Sequence, residues 1–311
     1  MLMLDVRRMR VLREVAARGS FSAAAEAMSF TQSAVSQHVA ALEREAGTQL
    51  VERRRSGVRL TEAGRVLVGH ADAILARIEC AEDDLAALAG LRGGRLRLIS
   101  FQSGGSTLAP RAVAAFHERH PQVELSMLEA EPDEAGARLK SGEVDLALVY
   151  DHESTPGLLA PELSLTHLLD DRYDAILPEG HALARRRRLS LSDLGGEHFV
   201  ASTSVCGCRQ ITETVCREAG FEPKVAFEAD ETMAAQALVA AGVGVTLLPQ
   251  LALTTLHPGV VARRLSDPPA RRIWVARLEG AYASPASDAM LQTLEDVAEE
   301  FREARLELAA G

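Results

Sequence analysis

The chain has 311 residues, 47% hydrophobic and 25% charged, with a net charge of −10, enough to bury one large core or two moderate ones. No basic stretch followed by an apolar run opens it, so no signal peptide is expected. Four cysteines, three of them within eleven residues, do not make a secreted disulfide scaffold. The uncharged stretch 232–262 is broken by Gly242, Gly244, Pro249 and Pro258. It therefore falls short of the about 20 mostly apolar residues that a spanning helix needs. The expectation is a cytoplasmic protein without membrane contact.

The charge is unevenly spread. Residues 1–60 hold ten arginines and six acidic residues, a net of +4, whereas the remainder carries 24 basic and 38 acidic residues. A basic head on an acidic body excludes indiscriminate nucleic-acid binding and leaves the head to approach phosphates.

Within the head, Val6, Met9, Leu12, Val15 and Ala16 recur at helical spacing, and Gly19 ends that helix where a left-handed residue is tolerated. Residues 21–28 predict a short second helix. After Ser29-Phe30, Thr31 is a good N-cap for a third helix running to about Glu45. Val35, Val39 and Leu42 share the inner face, leaving Gln32, Ser33, Ser36 and Gln37 near the N-terminus on the others. Short donor–acceptor side chains at a helix N-terminus suit the reading of base edges in a major groove of double-stranded DNA, and Thr31 is expected to bind DNA with them. Two short strands, 49–52 and 58–60, then flank Arg53-Arg54-Arg55-Ser56-Gly57, a wing with three positive charges for the DNA backbone or minor groove.

Thr61 opens a long helix in which Leu67, Ala71, Ile74, Ile78, Ala81, Leu85 and Leu88 follow spacings of four and three. This is an a/d seam. Residues 61–89 would extend about 43 Å at 1.5 Å per residue. A single apolar stripe on such a helix is expected to be buried against a second copy, and a homodimer would present two heads to two half-sites. Gly90, Gly93 and Gly94 mark a hinge. Beyond it, strands at 96–99, 123–128, 144–149, 174–177, 199–202, 225–227, 245–248 and 273–276 alternate with helices, and a last helix covers about 285–308. The pattern is α/β with parallel strands.

The head resembles the LysR-type transcriptional regulators. The residues that carry the resemblance are Gly19-Ser20-Phe21-Ser22-Ala23-Ala24-Ala25, then Thr31-Gln32-Ser33-Ala34-Val35-Ser36-Gln37-His38-Val39 through Leu42-Glu43, then Gly57-Val58-Arg59-Leu60-Thr61-Glu62-Ala63-Gly64. Ser33 stands where the family commonly has proline. Asp145–Val149 and Ala240–Pro249 are similar to segments that flank the cleft of that family's effector domain. The resemblance implies a winged helix-turn-helix over 1–60, a dimerising linker helix over 61–90 and a two-lobed, periplasmic-binding-protein-like effector domain over 91–311. Lobe I would take about 95–165 and 266–311, and lobe II about 166–265. It also implies a homodimer or homotetramer, a small effector in the cleft, and RNA polymerase as a further partner.

Open α/β sheets bind ligands beyond the carboxyl ends of their strands. Ser100, Gln102 and Ser103 follow the first strand of one lobe, Ser202 and Thr203 follow the corresponding strand of the other, and Thr246 and Asp230 rank behind them. Hydroxyls beside helix N-termini suit a small polar or anionic effector. Cys206-Gly207-Cys208 and Cys216 leave an alternative open, because neighbouring Arg209 and Arg217 would favour a reactive thiolate. Peroxide-sensing members of the resembled family carry two cysteines in about this place. No catalytic constellation, metal-ligand set or nucleotide loop is present in the sequence, so neither an enzyme nor a cofactor is expected. A solute-binding protein would share the second domain but lack the head.

Overall fold

The computed structural model describes residues 3–54, 57–88, 94–155, 159–204, 206–280 and 282–310. The expected tip residue Arg55 and the hinge residues Gly90 and Gly93 lie outside them. The chain divides into two compact units, Met1–Leu91 with Lys140–Glu143, and Arg92–Leu139 with Val144–Gly311.

The first unit opens with α1 (Val6–Arg18), α2 (Phe21–Ala27) and α3 (Gln32–Ala46). Each start has a side-chain cap. Asp5 accepts from the backbone N–H of Arg7 at 2.8 Å, and Thr31 Oγ1 accepts from Ala34 N–H at 3.2 Å; such caps satisfy donors that have no partner inside the helix. Gly19, at φ +64°, closes α1, a conformation that side chains with a Cβ adopt at a cost. Met9, Leu12 and Val15 of α1, Phe21 and Ala24 of α2, and Val35, Val39 and Leu42 of α3 form one core. The strands β1 (Val51–Arg54) and β2 (Gly57–Leu60) pair antiparallel, Val51 opposite Leu60 and Arg54 opposite Gly57. Glu43 of α3 ties them down by accepting from the backbone N–H of Leu50 and Val51. The first strand starts and ends two residues later than the sequence suggests, so Arg53 and Arg54 belong to β1 rather than to the tip.

The long helix α4 (Glu62–Leu88) enters against this core. A Cβ on Gly64 would stand 2.1 Å from the carbonyl oxygen of Leu50, so only glycine permits that approach. Leu67 and Ala71 are buried in the head's own core. This corrects the seam as read from spacing, because its first two positions pack on their own domain. Ile74, Ile78 and Leu85 are exposed.

The second unit is built on β3 (Arg95–Ser100), α5 (Gln102–Gly105), α6 (Leu108–Arg119), β4 (Glu124–Glu129), α7 (Pro132–Ser141), β5 (Leu146–Asp151) and β6 (Leu163–Pro178), then β7 (Arg188–Leu189), β8 (His198–Ala201), α8 (Gly207–Glu218), β9 (Lys224–Glu228), α9 (Thr232–Ala240), β10 (Thr246–Pro249), β11 (Val260–Leu265), β12 (Ala270–Leu278) and α10 (Pro285–Ala310). The main sheet runs β4-β3-β5-β12-β6-β11-β7, with β10 also on β6. β3 pairs parallel with β4 and β5, whereas β12 is antiparallel to both β5 and β6. β11 is antiparallel to β6 and parallel to β7, so the expected parallel pattern holds at the two ends of the sheet and fails in its middle.

The 16-residue β6 is shared between two sheet halves. Its stretch from Leu163 to Arg172 pairs with β12, and its stretch from Tyr173 to Pro178 pairs with β10 and β11. A parallel pair, β8 and β9, joins the second half through a bridge between Phe199 and Val245. Sequence reading divided the lobes at 165/166, inside this continuous strand. Only its second half showed as a strand in the sequence, because polar His167, Asp170, Asp171 and Arg172 interrupt the apolar pattern in the first.

Candidate functional site

In the head, α2 and α3 are joined by a short connection and α3 presents its outer face to solvent. Gln32, Ser33 and Gln37 are exposed, Ser36 is half-buried, and Thr31 also carries the cap described above. These residues therefore share the N-terminal end of one helix, in the arrangement expected from spacing. Arg53 and Arg54 follow on the paired strands of the wing.

In the second unit, the carboxyl end of β3, α5, the ends of β8 and β10, and the starts of α8 and α9 enclose a cavity of about 300 Å³. Gln102, Ser103, Ser202, Thr203 and Thr246 line it. Gln102 Oε1 accepts from Thr232 Oγ1 at 3.3 Å, which links the two sides. Thr203 donates its backbone N–H and hydroxyl to Asp230, at 2.8 Å and 3.0–3.1 Å. Ser202 accepts, through its carbonyl, from Arg209. Ser100 is placed differently: it is fully buried beneath the wall, its hydroxyl donating to the Phe101 carbonyl at 3.1 Å.

The floor holds a constellation that the sequence reading missed. Arg271 on β12 is buried and ion-paired with Asp171 on β6 at 2.9 Å. It also donates to Ser103 Oγ at 2.6 Å, contacts Cys208 Sγ at 3.6 Å, and packs against the rings of Phe101 and Tyr150, 4.8 and 4.7 Å from their centroids. Tyr150 donates to Glu131 at 2.5 Å and accepts from Cys208 Sγ at 3.3 Å; Cys206 Sγ reaches the same Glu131 oxygen at 3.7 Å. A signal for Arg271 was available: on β12 it shares the period-2 face of Ile273 and Val275, both buried, and a charge on a buried face needs a partner.

The three candidate cysteines differ chemically. A hydrogen bond from Cys206, opposed by burial and helped by the Arg271 charge, lowers the Cys208 thiol to about 7. The same bond and burial push Cys206 well up. Burial, with Glu222 and Glu213 nearby, raises Cys216 to about 12. Cys216 packs in the core on α8. It stands eight positions along the helix from Cys208, about 12 Å at 1.5 Å per residue. A disulfide requires Cα atoms within about 7 Å, so joining the two demands unwinding of α8.

Comparison with known families decides what these two units are. Residues 6–65 match the bacterial regulatory helix-turn-helix protein of the lysR family, and residues 89–299 match the LysR substrate binding domain.

The chain belongs to the LysR family of transcriptional regulators.

Among its relatives is LrrA of Synechococcus elongatus, named a probable HTH-type transcriptional regulator. It is 32% identical over 96% of this chain and 99% of its own length. Full-length CbnR complexed with the target DNA is 20% identical, with a TM-score of 0.72 over 94% of this chain and 100% of that one. An OxyR mutant of Corynebacterium glutamicum with hydrogen peroxide bound is 23% identical, with a TM-score of 0.61 over 100% of this chain and 98% of that one. At these identities the two structures show the fold alone. This LysR-family protein is thus a DNA-binding transcription regulator with a helix-turn-helix and an effector-binding domain, and its named relatives are regulators rather than enzymes. Among its described residues, no helix is long and apolar enough to cross a membrane, and no cluster of three or more His, Cys, Asp or Glu could hold a metal ion.

Proposed function

We propose that this regulator reads its operator with the N-terminal half of α3 and the wing, and that a small polar molecule in the cavity of the second unit controls it. The observation that carries this reading is the cavity itself. Gln102 and Ser103 from one sheet half face Ser202, Thr203 and Thr246 from the other across a space of about 300 Å³, in a domain whose family is named for substrate binding. Polar groups converging from two halves that share β6 allow a ligand to favour one relative arrangement of those halves. A preference of a few kcal/mol suffices to shift the population. Gln32, Ser33, Ser36 and Gln37 read bases, Thr31 caps the helix, and Arg53, Arg54 and Arg55 neutralise phosphates.

The exposed apolar stripe of Ile74, Ile78 and Leu85 on α4 supports assembly through that helix with a second copy, as a dimer or as a tetramer of paired dimers. The deciding experiment is a promoter assay in which the effector response is compared between the wild type and Gln102→Ala with Thr203→Val. A full response in the double variant overturns the cleft reading.

A second reading has its own support. Cys208 stands on the cavity wall beside Arg271 with a thiol lowered to about 7, which suits a reactive thiolate. A Cys208→Ser protein that keeps its response to effector and lacks any response to peroxide separates the two inputs.

A further inference from the structure

The hydroxyls around the cavity agree with a polar or an anionic ligand equally well, but the charges do not. Five carboxylates line it, those of Glu129, Glu131, Asp133, Glu134 and Asp230, and the only cation among the described lining residues is Arg271. That guanidinium is already neutralised by Asp171 at 2.9 Å and covered by Phe101 and Tyr150. Among the described residues, Glu134 is the one of these carboxylates that meets a cation, Arg138 at 3.1 Å. Among the described residues, Glu131 receives side-chain bonds from the neutral groups of Tyr150 and Cys206, and Asp230 from Thr203. An anion entering this space would meet an uncompensated negative field, which a low-dielectric cleft concentrates rather than screens.

A second observation points to a ligand. The Tyr173 side chain is 1% exposed and on the cavity wall, and its hydroxyl makes no well-formed hydrogen bond, although Cys208, Arg271 and Asp171 lie near it. A buried phenol is normally paired, and its oxygen can accept an N–H from a ligand. Among the described residues, no cluster of three or more His, Cys, Asp or Glu could hold a metal ion.

We infer that the effector is a small organic cation, an amine or guanidine, held between the carboxylates of Glu129, Glu131, Asp133 and Asp230 and accepted at depth by the Tyr173 hydroxyl. This deepens the cleft reading and rests on it. It revises the expectation of an anionic effector: hydroxyls near helix N-termini were visible in the sequence, whereas the carboxylates come together only in the fold.

The test is thermal-shift and calorimetric titration of the full chain against matched probes, putrescine, cadaverine and agmatine on one side and succinate, glutarate and phosphate on the other. Glu129→Gln with Asp133→Asn alters exposed positions, so the variant protein should fold. The expected result is stabilisation by members of the cationic set, weakened at least tenfold in that variant and weakened again by Tyr173→Phe. Stabilisation by the anionic set, unchanged or tighter in the double variant, overturns the charge class while leaving the cleft as the site. Stabilisation by neither set overturns it as well. Binding indifferent to both Gln102→Ala and Thr203→Val places the ligand outside the cleft and sinks the reading beneath it.

Discussion

Arg271 of β12 and Asp171 of β6 form an ion pair at 2.9 Å with both side chains 1% exposed, at the level where β6 passes from one sheet half to the other. Asp171 also accepts the backbone N–H of Leu251 at 2.9 Å, so one carboxylate anchors a charge beneath the cavity and a turn beside it. Replacing Asp171 by Ala leaves a buried guanidinium uncompensated, at a cost of about 3–5 kcal/mol. Urea denaturation should show the loss. A combined Asp171→Leu, Arg271→Met change should recover most of it, because an apolar pair removes both buried charges together. An unaltered midpoint in the single variant refutes this account of the floor.

The thiols should titrate apart. Cys208, lowered to about 7 by its bond from Cys206 and by Arg271, becomes a thiolate as pH rises through neutrality, whereas Cys216, raised to about 12 by burial, stays protonated. Alkylation by a small reagent, mapped by mass spectrometry, should therefore modify Cys208 with a midpoint near pH 7 and spare Cys216 below pH 10. The depressed value also stabilises the fold above neutrality, a contribution lost as pH falls through about 7. Equal modification of both residues at pH 7 contradicts the assignment.

For DNA, Gln37→Ala should relax preference at one operator position by about 1–3 kcal/mol. Neutralising Arg54 should instead weaken all sequences alike and reduce the salt slope by about one. Fluorescence anisotropy with operator and scrambled duplexes at several salt concentrations distinguishes the two. If both variants retain wild-type affinity and slope, another surface reads the DNA.

Assembly can be tested at a position that does not serve the head's own core. Ile78 is 38% exposed whereas Ala71 is fully buried. Ile78→Asp should leave the fold intact and place like charges across an α4 pairing, giving monomers in sedimentation velocity. Ala71→Asp should unfold the head instead. An Ile78→Asp protein of unchanged mass would show that the exposed stripe is not the contact.

Much of the head was legible in the sequence because its determinants are local. Asp5, Ser20 and Thr31 cap helices within three residues of themselves, Gly19 and Gly47 end them, and the spacing of Val35, Val39 and Leu42 sets which face of α3 remains outside. The alternation of strands and helices, and the segments after β3 and β8 that bear Gln102, Ser103, Ser202 and Thr203, were legible for the same reason.

The tertiary structure alone decided what spans long separations. Leu67 and Ala71 look like any a/d pair until the head core claims them. Asp171 and Arg271, 100 residues apart, read as ordinary polar residues of two strands until β6 and β12 pair. Glu131, Asp230 and Tyr173 lie far apart along the chain, and only the closure of the two sheet halves makes them walls of one cavity. Helix caps and hydrophobic periods depend on neighbours a few residues away. The charge and hydrogen-bonding demand of a binding site depends on which distant side chains the sheet order places face to face.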